Sequence, residues 1–347
     1  MEASQAATGL WVVFMLVLIA LAFDYMNGFH DAANSIATIV STGVLRPGQA
    51  VVFAGLFNFI AYFVFGLTVA ATIGKGIVMP NVVDTHVVFG ALIGALTWNI
   101  VTWYYGIPSS SSHALVGGIV GATIAKAGAS VLIASGIFKI VAFIFISPLL
   151  AFILGSLTRV AISWIFRRAR PSKVDRWFRR LQLVSAASTS LGHGGNDAQK
   201  TIGIVWLLLI AATNSKVEGL PHWMMATSDY LPHWVVVACY VTIAVGTMSG
   251  GWRIVKTMGQ RITKLRPFTG FCAEAGSAAT LFTATLMGIP VSTTHAITGA
   301  IVGVGSTQHA SAVRWGVAGN IVWAWVLTIP ASAFVAAIAY WVSLQIF

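Results

Sequence analysis

The sequence predicts an all-α polytopic membrane protein made of two inverted repeats of about five membrane elements each, with broken or re-entrant helices at a central site. Three observations carry this expectation. Of the 347 residues, 57% are hydrophobic and only 8% charged, more apolar content than a soluble domain can hide. Successive apolar runs approach or exceed the roughly 20 residues that cross ~30 Å of hydrocarbon, and no domain-sized polar segment separates them. Finally, a motif occurs twice: GIPSSSSHALVGGIVG at 106–121 and GIPVSTTHAITGAIVG at 288–303 agree at ten of sixteen positions without a gap.

In chain order, apolar runs cover about 10–45, 48–74, 84–106, 108–126 and 130–159, then 181–212, 233–249, 268–288, 291–306 and 311–347. This divides the chain into a first membrane repeat (1–160), a basic cytoplasmic linker (161–180) and a second membrane repeat (181–347). The first run lacks a basic n-region and continues into a repeat, so it reads as a retained span and not as a signal peptide. An odd number of crossings per repeat turns the second copy over, a common transporter plan. Lys and Arg agree with that arrangement. Of 20, eight fall between Arg159 and Arg180 and five between Arg253 and Arg266. Placing both clusters inside puts Arg46 at the cytoplasmic face, both termini outside, and His222, Trp223, His233 and Trp234 near an external loop. Such clustering reads the net charge of +11 as orientation and lipid attraction, excluding nucleic acid as the partner. Cys239 and Cys272 sit in apolar segments without metal-ligand spacing. Ten full crossings is the working count. Runs 10–45 and 181–212 hold Gly28, or Gly192, Gly194 and Gly195, beside polar residues, so each reads as a broken helix or a re-entrant hairpin.

His30, Asp31 and Asn34 interrupt the first run. A charge at membrane depth costs upward of about 2.5 kcal/mol, so such a residue is read as functional. The stretch repeats at 192–205, aligning Asp31 with Asp197, Asn34 with Lys200 and Ser35 with Thr201. Glycine breaks would expose half-helix N-termini, which suit an anion, and leave Asp31 and Asp197 to bind cations or protons. The alternative is that each Asp caps a half-helix. Ser109 to Ser112 before His113, and Ser292 to Thr294 before His295, each follow a Pro and lead into a Gly-rich helix. Hydroxyls at a fresh helix N-terminus suit an oxyanion with several acceptor oxygens, or else cap and pack. His113 and His295 either carry protons or hold the turn, while His30 and His193, lacking equivalents in the other repeat, rank lower. Glu274 is a proton or cation site or an interfacial residue. Asp24, two turns before Asp31, shares its face if the helix is unbroken. An intramembrane hydrolase fits poorly, because Ser112 and His113 point different ways and no G-x-S-x-G elbow occurs. A passive channel explains the duplication less well than alternating access does.

NGFHDAAN, WYYGIPSSSSHALVGGIVG, GHGGNDAQKTIG and GIPVSTTHAITGAIVG together resemble the inorganic phosphate transporter (PiT) family, particularly its bacterial low-affinity, proton-coupled branch. The resemblance spans both halves. It implies a multi-pass protein of the cell (inner) membrane, not an enzyme, that moves inorganic phosphate by symport with protons and uses no cofactor or resident metal. Matched position by position, it also implies a phosphate site of Ser111, Ser112, Thr293, Thr294 and Asn34, with Asp31 and Asp197 for the coupling ion; the residues themselves add Lys200 to the phosphate site and Glu274 as a coupling-ion candidate. His113, His295, Ser110, Ser292, Asn196 and Asp24 form a second tier. Lys200 stands where sodium-coupled members look to have a second Asn, which favours protons. Sulfate as cargo, sodium coupling, a divalent metal travelling with phosphate, and a homo-oligomer stay open.

Overall fold

The structure is a computed structural model and describes residues 9–347. The first half contains α1 (Leu10–Ser41), α2 (Pro47–Val64), α3 (Thr68–Lys75), α4 (Thr85–Tyr105), α5 (Ser111–Ala127) and α6 (Ala134–Ile165). The second contains α7 (Pro171–Asn214), α8 (His233–Ser249), α9 (Trp252–Lys256, continued by the π-helical turn Thr257–Arg261), α10 (Pro267–Leu286), α11 (Thr293–Ser306) and α12 (Trp315–Ile346). Among the described residues no strand forms.

Each half has one helix more than the sequence suggests: the run 48–74 splits where Phe65 turns extended before α3, and the segment between the runs 233–249 and 268–288 forms α9. The 161–180 linker is mostly helix: α6 runs to Ile165 and α7 starts at Pro171, whose fixed φ and missing N–H suit a first helical position. Among the described residues, five helices (α1, α2, α4, α6 and α12) are long and apolar enough to cross a membrane, and α8 joins α9 through a 60° bend. The ten-crossing count gives way at α5 and α11. With 17 and 14 residues they span about 25 and 21 Å, short of ~30 Å of hydrocarbon, and they begin inside the protein.

Breaks expected beside the two aspartates are absent, since α1 and α7 run straight through Asp31 and Asp197. The glycines there serve close packing. A Cβ on Gly28 would lie 2.2 Å from the Ile243 carbonyl oxygen of α8, and one on Gly194 2.4 Å from the Asn58 carbonyl oxygen of α2. Such small-residue contacts bring membrane helices together where apolar burial gives little drive. The irregular backbone lies instead in the turns between α4 and α5 and between α10 and α11. Both turns open with a glycine in the left-handed region, Gly106 and Gly288, each at φ +65°.

The halves are interlocked. α5 and α4 pack on α12, α11 and α10 on α6, α1 on α8, and α7 on α2. Asp84 and Lys126 pair at 2.6 Å, so the ends of the α4–α5 hairpin meet. At one end of the molecule Arg159, Lys264 and Arg266 share a hollow, and Arg179 donates to the Gly43 carbonyl oxygen at 3.3 Å. Trp223 meets Phe14 and Trp234 at the other end, where Trp11 meets Phe347. Both basic clusters therefore gather away from the described start of the chain; the expected external amino terminus at 1–8 lies outside the described residues.

Candidate functional site

The centre forms where the middles of α1 and α7 meet the N-termini of α5 and α11. Ser110 Oγ accepts from the His113 amide and Ser292 Oγ from the His295 amide, each at 3.2 Å. The Ala114 and Ala296 amides bond to the Ser110 and Ser292 carbonyls. Amides of Ser111, Ser112, Thr293 and Thr294 are thus the first-turn donors left without an intrahelical partner. Each N-terminus also carries about half a positive charge, and two of them face one spot.

Side chains from both halves converge there. Asn34 Nδ2 donates to Thr293 Oγ1 at 2.9 Å and to Thr294 Oγ1 at 3.0 Å. Thr293 Oγ1 donates to Asp197 Oδ2 at 3.2 Å, and Thr294 Oγ1 approaches Asp31 Oδ1 at 3.4 Å. The Lys200 ammonium, 1% exposed, bonds to Asp197 Oδ1, Ser112 Oγ and the Val291 carbonyl, which uses all three of its protons. It does not snorkel to an interface.

Two histidines complete the centre. Thr102 Oγ1 gives its hydrogen to the Trp98 carbonyl at 2.8 Å and accepts from Ser109 Oγ at 2.9 Å, so it also accepts from His30 Nε2 at 3.0 Å. His30 Nδ1 then faces Asp31 Oδ1 at 2.7 Å with room for one proton between them. Opposite, Asn58 Nδ2 donates to Thr247 Oγ1 at 2.7 Å, which turns Asn58 Oδ1 toward His193 Nδ1 at 3.2 Å and leaves His193 Nε2 3.3 Å from Asp197 Oδ2. Ligand atoms of Asp31, His193 and Asp197 lie within 4.8 Å of one another, a set that could hold a cation such as sodium.

Of the residues singled out from sequence, Asn34, Asp31, Asp197, Lys200, Ser112, Thr293 and Thr294 meet directly. Ser111 is buried at the α5 terminus with no partner for its hydroxyl. Ser110 and Ser292 are caps. His113 and His295 face each other at 4.7 Å, and His295 stacks on Trp325. Asn196 holds the α10–α11 turn, donating to Thr285 Oγ1 and the Ile289 carbonyl and accepting from the Val291 amide. Glu274 stands apart, accepting from Thr38 Oγ1 at 2.5 Å, Gln182 Nε2 at 3.0 Å and Ser185 Oγ. Asp24 accepts from Thr201 Oγ1 at 2.7 Å. Thr102 and Asn58 orient the two histidines, and their signal in the sequence is only a polar residue in an apolar helix, shared with many residues that only pack.

Two buried aspartates, a buried lysine and two helix N-termini that meet at the centre of an all-helical, multi-pass membrane protein are the kind of arrangement a transporter uses. Residues 27–336 match the model of the phosphate transporter family, and the chain belongs to that family. It is 57% identical over 325 residues to a Rhizobium meliloti protein described as a "probable low-affinity inorganic phosphate transporter", covering 94% of each chain. A Bacillus subtilis protein of the same description is 43% identical, covering 97% of this chain and 98% of its own. Among solved structures, one titled "The sodium-dependent phosphate transporter" superposes with a TM-score of 0.87 at 25% identity, covering 97% of this chain and all of that one.

Proposed function

We propose that this chain is a secondary active symporter that carries inorganic phosphate across the cytoplasmic membrane together with protons. Asp31 and Asp197 bring two negative charges; Lys200 and two helix N-termini bring about two positive ones. These charges nearly cancel, and a phosphate carrying one or two negative charges needs positive charge to come with it, because an uncompensated buried charge is costly. The observation that carries the proton reading is the His30–Asp31 contact, whose hydrogen-bond network accommodates a single proton. Lys200 meanwhile neutralises Asp197 permanently, which removes one of the two carboxylates a sodium ion would use. We read the two halves as inverted copies of one another. Supporting this are the shared helix order, the matched Gly106 and Gly288 turns, and His30 and its aligned partner Asn196, each bonded to the hairpin that begins α4 or α10.

Uptake of labelled phosphate and labelled sulfate into proteoliposomes, with pH and sodium gradients imposed separately and divalent metal chelated, tests the reading. An inward proton gradient alone is expected to drive phosphate accumulation, with sulfate left behind because it brings no proton near neutrality. Accumulation that follows the sodium gradient, or that stops on chelation, would replace protons by sodium or by a metal-phosphate cargo.

A further inference from the structure

We propose that Asp24 is a second proton-binding carboxylate, set on α1 two turns from Asp31 toward Leu10, which loads the coupling proton and passes it along the helix to the phosphate site. The inference rests on the proton-symport reading above and adds a residue and a route to it.

Asp24 is fully buried. One carboxylate oxygen, Oδ1, accepts from Thr201; the other, Oδ2, has no partner. Asp24 makes no ion pair among the described residues. Of the helices packed on α1, α2 and α4 carry no Lys, Arg, Asp or Glu, α8 presents Cys239 and Tyr240, and α9 with its π-helical turn, which bears Arg253, Lys256 and Arg261, meets α1 beyond Asp24, at Phe29, His30 and Ala37. From α7 the acting charge is Asp197, of the same sign, while Lys200 has all three protons committed elsewhere. Other buried acids fare differently: Asp197 has Lys200, Asp31 has His30, and Glu274 has three donors. A bare carboxylate with one hydrogen bond and no cation is among the costliest groups to bury, and a bound proton removes that cost.

The proton also resolves a second orphan. Asn27 Oδ1 is buried without a donor, three residues along the same helix, and neighbours at that spacing share a face. Protonated Asp24 supplies one O–H at Oδ2, the donor that Asn27 lacks. Asn27 is in turn four residues before Asp31, so Asp24, Asn27 and the His30–Asp31 pair form a line down one face of α1. In the step itself, hydronium on the Leu10 side gives up a proton and becomes water, an O–H bond forms at Asp24 Oδ2, and that bond breaks as the proton passes to the contact between His30 Nδ1 and Asp31 Oδ1. In the register that aligns Asp31 with Asp197, position 190 of α7 is Ser190, which bonds to its own helix at the Ala186 carbonyl, so this station belongs to the first half alone.

The test uses the full chain in proteoliposomes loaded with a pH-sensitive dye, counting protons against labelled phosphate, with an infrared difference spectrum of the purified protein. Asp24→Asn mimics the protonated acid: its oxygen still accepts from Thr201 and its amide faces Asn27. This variant is expected to keep exchanging phosphate between equal pools, to lose accumulation on a pH gradient as the ratio falls by one proton per phosphate, and to lose a buried carboxylic-acid band seen in the unsubstituted protein. Asp24→Glu is expected to restore both the ratio and a band. An unchanged ratio in Asp24→Asn, or an acid band that survives the substitution, overturns the proposal. Failure of the symport reading looks different: the unsubstituted protein would carry phosphate with no internal acidification, which removes the transport role of Asp24 whatever the spectrum shows.

Discussion

Replacing Lys200 by Asn is expected to reduce proton-driven phosphate uptake by roughly a hundredfold or more at equal membrane abundance. The ammonium is nearly inaccessible and holds three groups: Asp197 on its own helix, Ser112 at the start of α5, and the Val291 carbonyl before α11. Removing one partner of a buried ion pair typically costs about 3–5 kcal/mol, and each 1.4 kcal/mol is a factor of ten. Asn keeps a polar side chain but cannot neutralise Asp197 or tie the two hairpins together. A cation must then take the vacated place, so the variant is expected to regain part of its uptake when sodium is supplied. Uptake assays with sodium varied at fixed pH check this. Uptake by Lys200→Asn at the unsubstituted rate would remove Lys200 from the coupling mechanism.

The second large effect concerns the hydroxyls. Ser112→Ala and Thr294→Ala are each expected to lower phosphate uptake severely, whereas the double variant is expected to be hardly worse than either. Ser112 belongs to α5 and Thr294 to α11, and they are joined through Asn34, Asp31, Asp197 and Lys200 into one network. Groups within one hydrogen-bond network couple by about 0.5–3 kcal/mol, while separate sites add. Additive losses would mean that the two hydroxyl sets only cap their own helices. The complete double-mutant cycle, measured as initial rates of labelled phosphate uptake, distinguishes the two.

Much of this site was legible before any coordinates. Asp31, Asp197 and Lys200 announce themselves because ionisable groups in apolar runs are too expensive to keep without a purpose. The Ser and Thr pairs announce themselves because a Pro ends the helix before it and hydroxyls suit the start of the next, and because the pattern occurs twice. What failed was local. Gly28 and Gly194 looked like breaks, yet a glycine in an apolar helix marks either a bend or a close neighbour, and only the positions of α8 and α2 decide which. His30 and His193 ranked low because neither has a counterpart of its own kind. In space His30 does the work of Asn196, reaching the hairpin helix beside it, while His193 takes its orientation from Asn58, a residue 135 positions away. Glu274 reads in sequence like the two aspartates but lies in its own pocket of neutral donors, a separation no spacing rule could reveal.

Phosphate binding measured without transport tests the central claim most directly, that one anion is held jointly by the N-termini of α5 and α11. Ligand that binds only the folded state raises stability by about 2.7 kcal/mol at a hundred times its dissociation constant. Thermal unfolding of the purified protein is expected to shift upward with added phosphate, and the shift is expected to vanish in both Ser112→Ala and Thr294→Ala. A shift that survives either substitution at full size would contradict a shared site.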